Sequence, residues 1–241
     1  MSDSTTTRRG FLAASVAGLG FVAVAPGIHL IEAASAQGKM ASGKVRYGML
    51  IDTNRCTSDC DACVSACATE NGILEKVANP RQRSQWIRKI NLVETMTGKT
   101  HSLPMMCQHC AKPPCVDVCP TGASFKRADG IVLVDRHICI GCRYCMMACP
   151  YKARSFGHQA LTTQNPEVPR GQGCVEGCTF CVQRIDRGLK PACAEACPKG
   201  AMMFGDLNDP NSEIHKRLRE VGSTQVRADL KLDLGVRYQG I

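Results

Sequence analysis

Several features that would point to catalysis or membrane spanning are missing from this sequence. Aromatic residues make up only 5% of its 241 residues, with a single tryptophan. Beyond residue 36 no apolar run approaches the roughly 20 residues that cross a bilayer, so no later segment reads as a transmembrane helix. No C-x-x-C pair is followed by histidine, which excludes covalently attached c-type haem. No nucleophile–base pair, glycine-rich phosphate loop or open metal site stands out, so nothing argues that the chain itself makes or breaks a substrate bond. Low complexity is absent too. A hydrophobic content of 44% with 21% charged residues excludes a disordered chain and suits one or two domains.

What is abundant is cysteine, 17 residues, together with a formal net charge of +9. Cysteine at this density serves disulfides, structural zinc or iron–sulfur clusters. The amino terminus indicates the compartment. TTTRRGFLAASVAGLGFVAVAPGIHLIEAASAQ has the pair Arg8–Arg9, an apolar run from Phe11 to Ala25, and the small-residue site Ala34–Ser35–Ala36. This reads as a twin-arginine export signal over residues 1–36, cleaved after Ala36. An uncleaved anchor would need the apolar segment to continue past Pro26 to Ile31, which Pro26, Gly27 and His29 weaken. The twin-arginine route carries folded cargo. The expectation is a periplasmic protein whose cofactor is inserted before export.

Sixteen of the cysteines fall into four groups of four. Group one is Cys56, Cys60, Cys63 and Cys67; group two is Cys107, Cys110, Cys115 and Cys119. Group three is Cys139, Cys142, Cys145 and Cys149; group four is Cys178, Cys181, Cys193 and Cys197. Group three is the bacterial ferredoxin run C-x2-C-x2-C-x3-C-P, in which three thiolates hold one 4Fe–4S cube and the fourth ligates another cluster. Three ligands two residues apart wrap a loop around a cube, and the proline after the fourth turns the chain away. Repeated two-residue separations would make strained disulfides and leave triplets unpaired. Zinc has no use for the third cysteine of each triplet.

An internal repeat supports the cluster reading: CPTGASF, CPYKARSF and CPKGAMMF follow the last cysteines of groups two, three and four. Strand-like segments, YGMLIDTNRC and GIVLVDRHIC, lead into groups one and three. The expected fold is α+β: two pseudo-symmetric two-cluster ferredoxin modules, the outer one discontinuous, with a β-hairpin insertion and a C-terminal extension. The boundaries are 45–79 plus 174–205 for the outer module, 80–104 for the hairpin, 105–160 for the inner module and 206–241 for the extension. Cross-ligation then assigns four 4Fe–4S clusters. In the inner module one takes Cys107, Cys110, Cys115 and Cys149, and the other Cys119, Cys139, Cys142 and Cys145. In the outer module one takes Cys56, Cys60, Cys63 and Cys197, and the other Cys67, Cys178, Cys181 and Cys193.

At these motifs the sequence resembles the four-cluster iron–sulfur subunits of bacterial respiratory membrane complexes, such as those of polysulfide, tetrathionate and formate-linked oxidoreductases. The resemblance runs from about Val45 to Asn211 and includes CQHCAKPPCVDVCPTGA, DGIVLVDRHICIGCRYCMMACPY and PACAEACPKGAMMFGDLNDPNSEI. Within that family it is most similar to the exported DsrO-type subunit of the Dsr (DsrMKJOP) complex, on its twin-arginine signal, CTSDCDACVSAC and GDLNDPNSEI. The resemblance implies a periplasmic electron-transfer subunit in sulfur metabolism, not an enzyme by itself, peripheral to the inner membrane. Its partners would be an integral membrane quinone-interacting subunit (NrfD/PsrC-like, DsrP-type) and a multihaem cytochrome c. The alternative is the electron-transfer subunit of a molybdopterin oxidoreductase of tetrathionate, thiosulfate or polysulfide type. Group one departs from the pattern, with three residues between Cys56 and Cys60 and Ala68 where proline is usual.

Other residues carry blander readings. Cys174 is read as an unligated buried thiol, or else as a substitute first ligand of group four. His109 and Tyr144 sit in cluster loops and are read as packing or locally bonded. The pairs Met105–Met106, Met146–Met147 and Met202–Met203 fill space around the clusters. Lys152, Arg154 and His158 read as a solvated basic loop. Segment 85–104 reads as a hairpin with Trp86 in the core, and Ser212 as the N-cap of a helix with Ile214, Leu218 and Val221 on one face. That helix and the strand-like DLKLDLGVRY either bind a partner or close the fold. Each oxidised cube with its four thiolates carries about −2, so four of them bring the chain from +9 to near +1. The basic excess is internal compensation, and no nucleic-acid partner is implied.

Overall fold

The computed structural model describes residues 41–73, 77, 79–161 and 164–241; the export signal read over 1–36 lies outside them. Each cysteine group sits where a short strand runs into a loop and then into a short helix. Strand β1 (Tyr47–Asp52) leads into group one and α1 (Ala62–Glu70). A hairpin, β2 (Arg88–Val93) with β3 (Thr100–Met105), then delivers the chain to group two and α2 (Pro114–Asp117). Strands β4 (Ser124–Lys126) and β5 (Val132–Val134) join group two to group three and α3 (Tyr144–Ala148). Strand β6 (Arg154–Phe156) follows group three, and β7 (Val175–Gly177) precedes group four with α4 (Val182–Ile185) and α5 (Ala192–Glu195). The chain closes with β8 (Met202–Asp206), α6 (Glu213–Glu220) and β9 (Val236–Gln239).

Proline sets the helix limits. Pro114 opens α2 and Pro191 precedes α5, positions where a missing N–H costs nothing. The Cys-Pro steps at 119–120, 149–150 and 197–198 release the chain from each helix into the next strand.

Pairing of the strands folds distant groups together. The one three-stranded sheet among the described residues has the order β8-β1-β9. Strand β1 lies antiparallel to β8, Tyr47 opposite Asp206, and parallel to β9, Met49 opposite Val236. The strand entering group one therefore lies beside the strand leaving group four. Likewise β6 pairs antiparallel with β7, bringing the exit of group three to the entry of group four. Met49, Ile51, Trp86, Met106, Ile131, Phe180, Leu234, Val236 and Tyr238 fill the main core. The Tyr238 hydroxyl donates to Pro104 O at 3.0 Å, tying β9 to the hairpin.

Ser212 accepts from His215 N at the start of α6, and Ile214 is fully buried against β8. The C-terminal segment closes the fold: β9 is a sheet strand with Val236 and Tyr238 fully buried. It is shorter than its alternating sequence suggests. Ala228–Leu230 is a 3-10 turn, and Arg227, Lys231 and Asp233 have positive φ, which breaks the pleat that the alternation requires.

Candidate functional site

All seventeen thiols are free. Cys56, Cys60, Cys63 and Cys197 line one cavity, with Pro104 and Met202. Cys107, Cys110, Cys115 and Cys149 line a second, with Pro113, Tyr151 and Arg154. Cys119, Cys139, Cys142 and Cys145 line a third, with Ser124. Their empty volumes, open solvent included, are about 340, 320 and 300 Å³. The remaining four also converge: the thiols of Cys67, Cys178, Cys181 and Cys193 face one another, and Asn71 Nδ2 lies 3.7 Å from Cys67 Sγ and 3.9 Å from Cys181 Sγ. Each quartet draws three cysteines from one group and the last cysteine of another. Among the described residues, no three His, Cys, Asp or Glu side chains converge on a point fit for a single metal ion. The thiols surround a volume instead, as a cube with irons at four alternate corners requires and a tetrahedral zinc does not.

The backbone supplies the rest of the fit. Ala201 N donates to Cys197 Sγ at 3.2 Å, Ala153 N to Cys149 Sγ at 3.5 Å, and Ser124 N to Cys119 Sγ at 3.3 Å. The residue before the second cysteine of a C-x2-C pair has positive φ in three groups: His109 (43°), Gly141 (70°) and Phe180 (54°). That turn curls the loop around its thiols. At Gly141 it is compulsory, since a Cβ there would meet Gly173 O at 2.3 Å. Group one is built differently. Its longer loop is held by Lys89 of β2, whose Nζ donates to Thr57 O at 2.5 Å, Ser58 O at 3.2 Å and Cys60 O at 2.6 Å.

Burial pushes the Cys63 thiol up to about 11 and those of Cys107, Cys110 and Cys193 up to about 12. As free thiols they stay protonated at neutral pH; a bound metal centre converts them to thiolates. Arg154 Nη2 donates to Cys115 Sγ at 3.2 Å, while its Nη1 is buried without a hydrogen-bond partner. An anionic cluster held by thiolates is the kind of group that donor suits.

Neighbouring quartets form a row. Helix α1, with Cys63 and Cys67, packs on α5 with Cys193; Cys107 and Cys178 line one cavity; and α2, with Cys115, packs on α3 with Cys145. The quartet with Cys197 is therefore followed by that with Cys67, then that with Cys149, then that with Cys119. The ends reach the surface, where Cys142 is exposed and Cys56 and Cys60 are half-buried; the Cys67 quartet at mid-row is buried. His109 and Phe180 stack at the middle junction, with ring centroids 3.7 Å apart. His109 Nδ1 accepts from Val132 N, and burial, with Arg154 nearby, holds its pKa down to about 3, so the ring is neutral.

Several sequence readings change here. Arg154 is not part of a solvated loop: Lys152 and His158 lie outside β6 and are exposed, but Arg154 opens the strand, is 8% exposed and donates to Cys115 Sγ. Met147 is 74% exposed and fills no space around a cluster, since it lies on the outer face of α3. Cys174 is buried, but its Sγ donates to Arg136 O at 3.3 Å, beside Cys139 rather than within the Cys178 triplet. Tyr144 is 58% exposed, while Trp86 is in the core. Sequence reasoning passed over Lys89 and Asn71, which stand far from the cysteines they serve or look unremarkable beside them.

Comparison with known proteins gives the site its chemistry. A family model described as a 4Fe-4S dicluster domain matches residues 99–207. The chain is 46% identical over 225 residues to the Hdr-like menaquinol oxidoreductase iron-sulfur subunit 1 of Archaeoglobus fulgidus, covering 81% of this chain and 83% of the relative. It is 41% identical over 199 residues to a sulfite dehydrogenase subunit of Allochromatium vinosum, covering 75% and 77%. It is 40% identical over 187 residues to a tetrathionate reductase subunit of Salmonella typhimurium, covering 74% and 65%. With a mixed helix-and-strand fold and sixteen cysteines gathered in four quartets, the chain carries a 4Fe–4S dicluster domain and belongs to the family of iron–sulfur electron-transfer subunits to which these relatives belong, and its cofactors are four 4Fe–4S clusters.

Proposed function

We propose that each quartet holds one cluster with the ligand sets given above, that the inner and outer pairs are pseudo-symmetric ferredoxin modules, and that the chain is an electron wire in a periplasmic sulfur-metabolising complex. The division into an outer module (45–79 plus 174–205), hairpin (80–104), inner module (105–160) and extension (206–241) belongs to the same proposal. A bound 4Fe–4S cluster takes up and returns electrons singly. The protein's part is to hold the quartets in sequence, exclude water from the middle of the row, and tune each site by charge and hydrogen bonds. The observation that carries the reading is the row itself, whose two ends reach the surface. One end would meet an integral membrane quinone-interacting subunit, the other a multihaem cytochrome c, as in the Dsr-type arrangement. The twin-arginine motif supports export of the folded chain. The match to a menaquinol oxidoreductase subunit supports a quinone-linked partner.

A second reading makes the soluble partner a molybdopterin subunit, favoured by the likeness to the tetrathionate reductase subunit. Purification of the native complex separates the two. A membrane subunit with a multihaem cytochrome supports the first, and a molybdopterin subunit the second. Within the chain, Cys178→Ser is expected to lose about a quarter of the iron and Cys174→Ser none. The reverse pattern would move the ligand to Cys174.

A further inference from the structure

We propose that Arg154 is the shared counter-charge of the two inner clusters and raises the reduction potential of both, an inference that rests on the reading that the Cys149 and Cys119 quartets carry 4Fe–4S clusters. Three observations support it. The guanidinium stands between two quartets: it donates to Cys115 Sγ at 3.2 Å and lines the cavity of the first with Cys107, while Cys115 packs in one buried cluster with Cys145 of the second. It is buried, and among the described residues its Nη1 has no hydrogen-bond partner. No carboxylate among the described residues pairs with it; Glu176, which lines the same cavity, is held by Arg170 at 2.7 Å.

A buried guanidinium without an anion is costly, and protonated thiols carry no charge to offset it. Clusters of about −2 on either side would supply that charge. Arginine does not deprotonate in proteins, so its charge is constant with pH. An added electron is held more tightly beside a fixed cation, and at low local dielectric the effect is large. Arg154 pairs with Gly177, where a Cβ would meet Ala153 O at 2.9 Å and lie 3.8 Å from Arg154 Cγ. The equivalent positions of the repeat hold neutral side chains, Ser124 and Met202, each lining the cavity of its own quartet. Arg154 is thus a positioning and tuning residue, not a ligand.

The test is an EPR-monitored redox titration of the cluster-loaded full chain and the variants R154K, R154Q and R154M, with iron counted in each. The neutral variants are expected to lose at least tenfold in the reduction equilibrium of two clusters, about 59 mV for a one-electron couple, while R154K keeps most of the wild-type value. The other two clusters should stay within twofold. If R154M fails to load, R154Q carries the measurement; loss of iron from the inner quartets in both neutral variants, but not in R154K, also supports a charge role. Full loading with unchanged potentials overturns the proposal, and so does an equal shift or equal iron loss in R154K, which would make the side chain merely structural. If Cys115→Ser and Cys145→Ser leave the iron content unchanged, the underlying cluster reading has failed instead.

Discussion

Five residues after Cys149 stands Arg154, and five after Cys197 stands Met202. Both open a strand, both are buried, and both line the cavity of the quartet to which the preceding cysteine belongs. The backbone serves the two alike, with Ala153 N and Ala201 N donating to the cysteine sulfurs. Only the side chain differs, cationic in one place and apolar in the other. The repeat therefore fixes where thiols and amides go, and a single side-chain position on the following strand sets the local charge. The loops show the same division. Groups two, three and four turn on a positive-φ residue, whereas the lengthened loop of group one is held by the Lys89 ammonium.

The sharpest way to break this comparison is to disturb the strand pair around Arg154. Arg170 and Glu176 form a fully buried ion pair, and Glu176 is on β7 opposite β6. Arg170→Met leaves a buried carboxylate unpaired and should cost about 3–5 kcal/mol. For a chain of this size that is a fall in Tm on the order of 10 °C. Hydrogen exchange should show 154–156 and 175–177 losing protection before 47–52 and 202–206. Uniform loss of protection would mean that the two regions do not differ in this way.

Next comes the apolar counterpart. Met202→Ala should cost about 2–5 kcal/mol through the cavity it leaves, read from denaturant unfolding of the loaded protein. Because no charge changes, the potential of the neighbouring cluster should stay within twofold. A larger shift would show that packing, not charge, dominates at that position. The smallest effect belongs to the loop. Lys89→Ala removes three hydrogen bonds on a partly exposed loop and should cost about 1–2 kcal/mol, visible as faster iron release to a chelator from the Cys56 quartet alone.

Much of this was legible in the chain. Cysteine spacing, Cys-Pro steps and strand-like runs before groups one and three mark the strand–loop–helix units, and β1 and β5 fall inside those runs. Ser212 announces its helix. Arg154 was legible only in part. Aligning CPTGASF, CPYKARSF and CPKGAMMF puts it level with Ser124 and Met202, so a cation in a buried slot is visible once that slot is known to be buried. Of Lys152, Arg154 and His158 only Arg154 lies in a strand, and their even spacing gives no alternation to tell them apart. Lys89 carried no local signal: it is 29 residues from Cys60, and only the hairpin brings it there. The last strand was overextended because alternation of leucines in 229–234 does not make the backbone pleated: Leu230 is exposed in a 3-10 turn, and only Leu234 is fully buried. Two positive-φ residues, Lys231 and Asp233, intervene.

The most direct test of the account is to count iron and acid-labile sulfide in the purified chain and record its EPR spectrum after dithionite reduction. Four clusters on four adjacent quartets predict about sixteen iron atoms per chain and spectra broadened by coupling between neighbouring reduced clusters. Iron near eight per chain, or a full complement with no sign of coupling, would contradict a row of four.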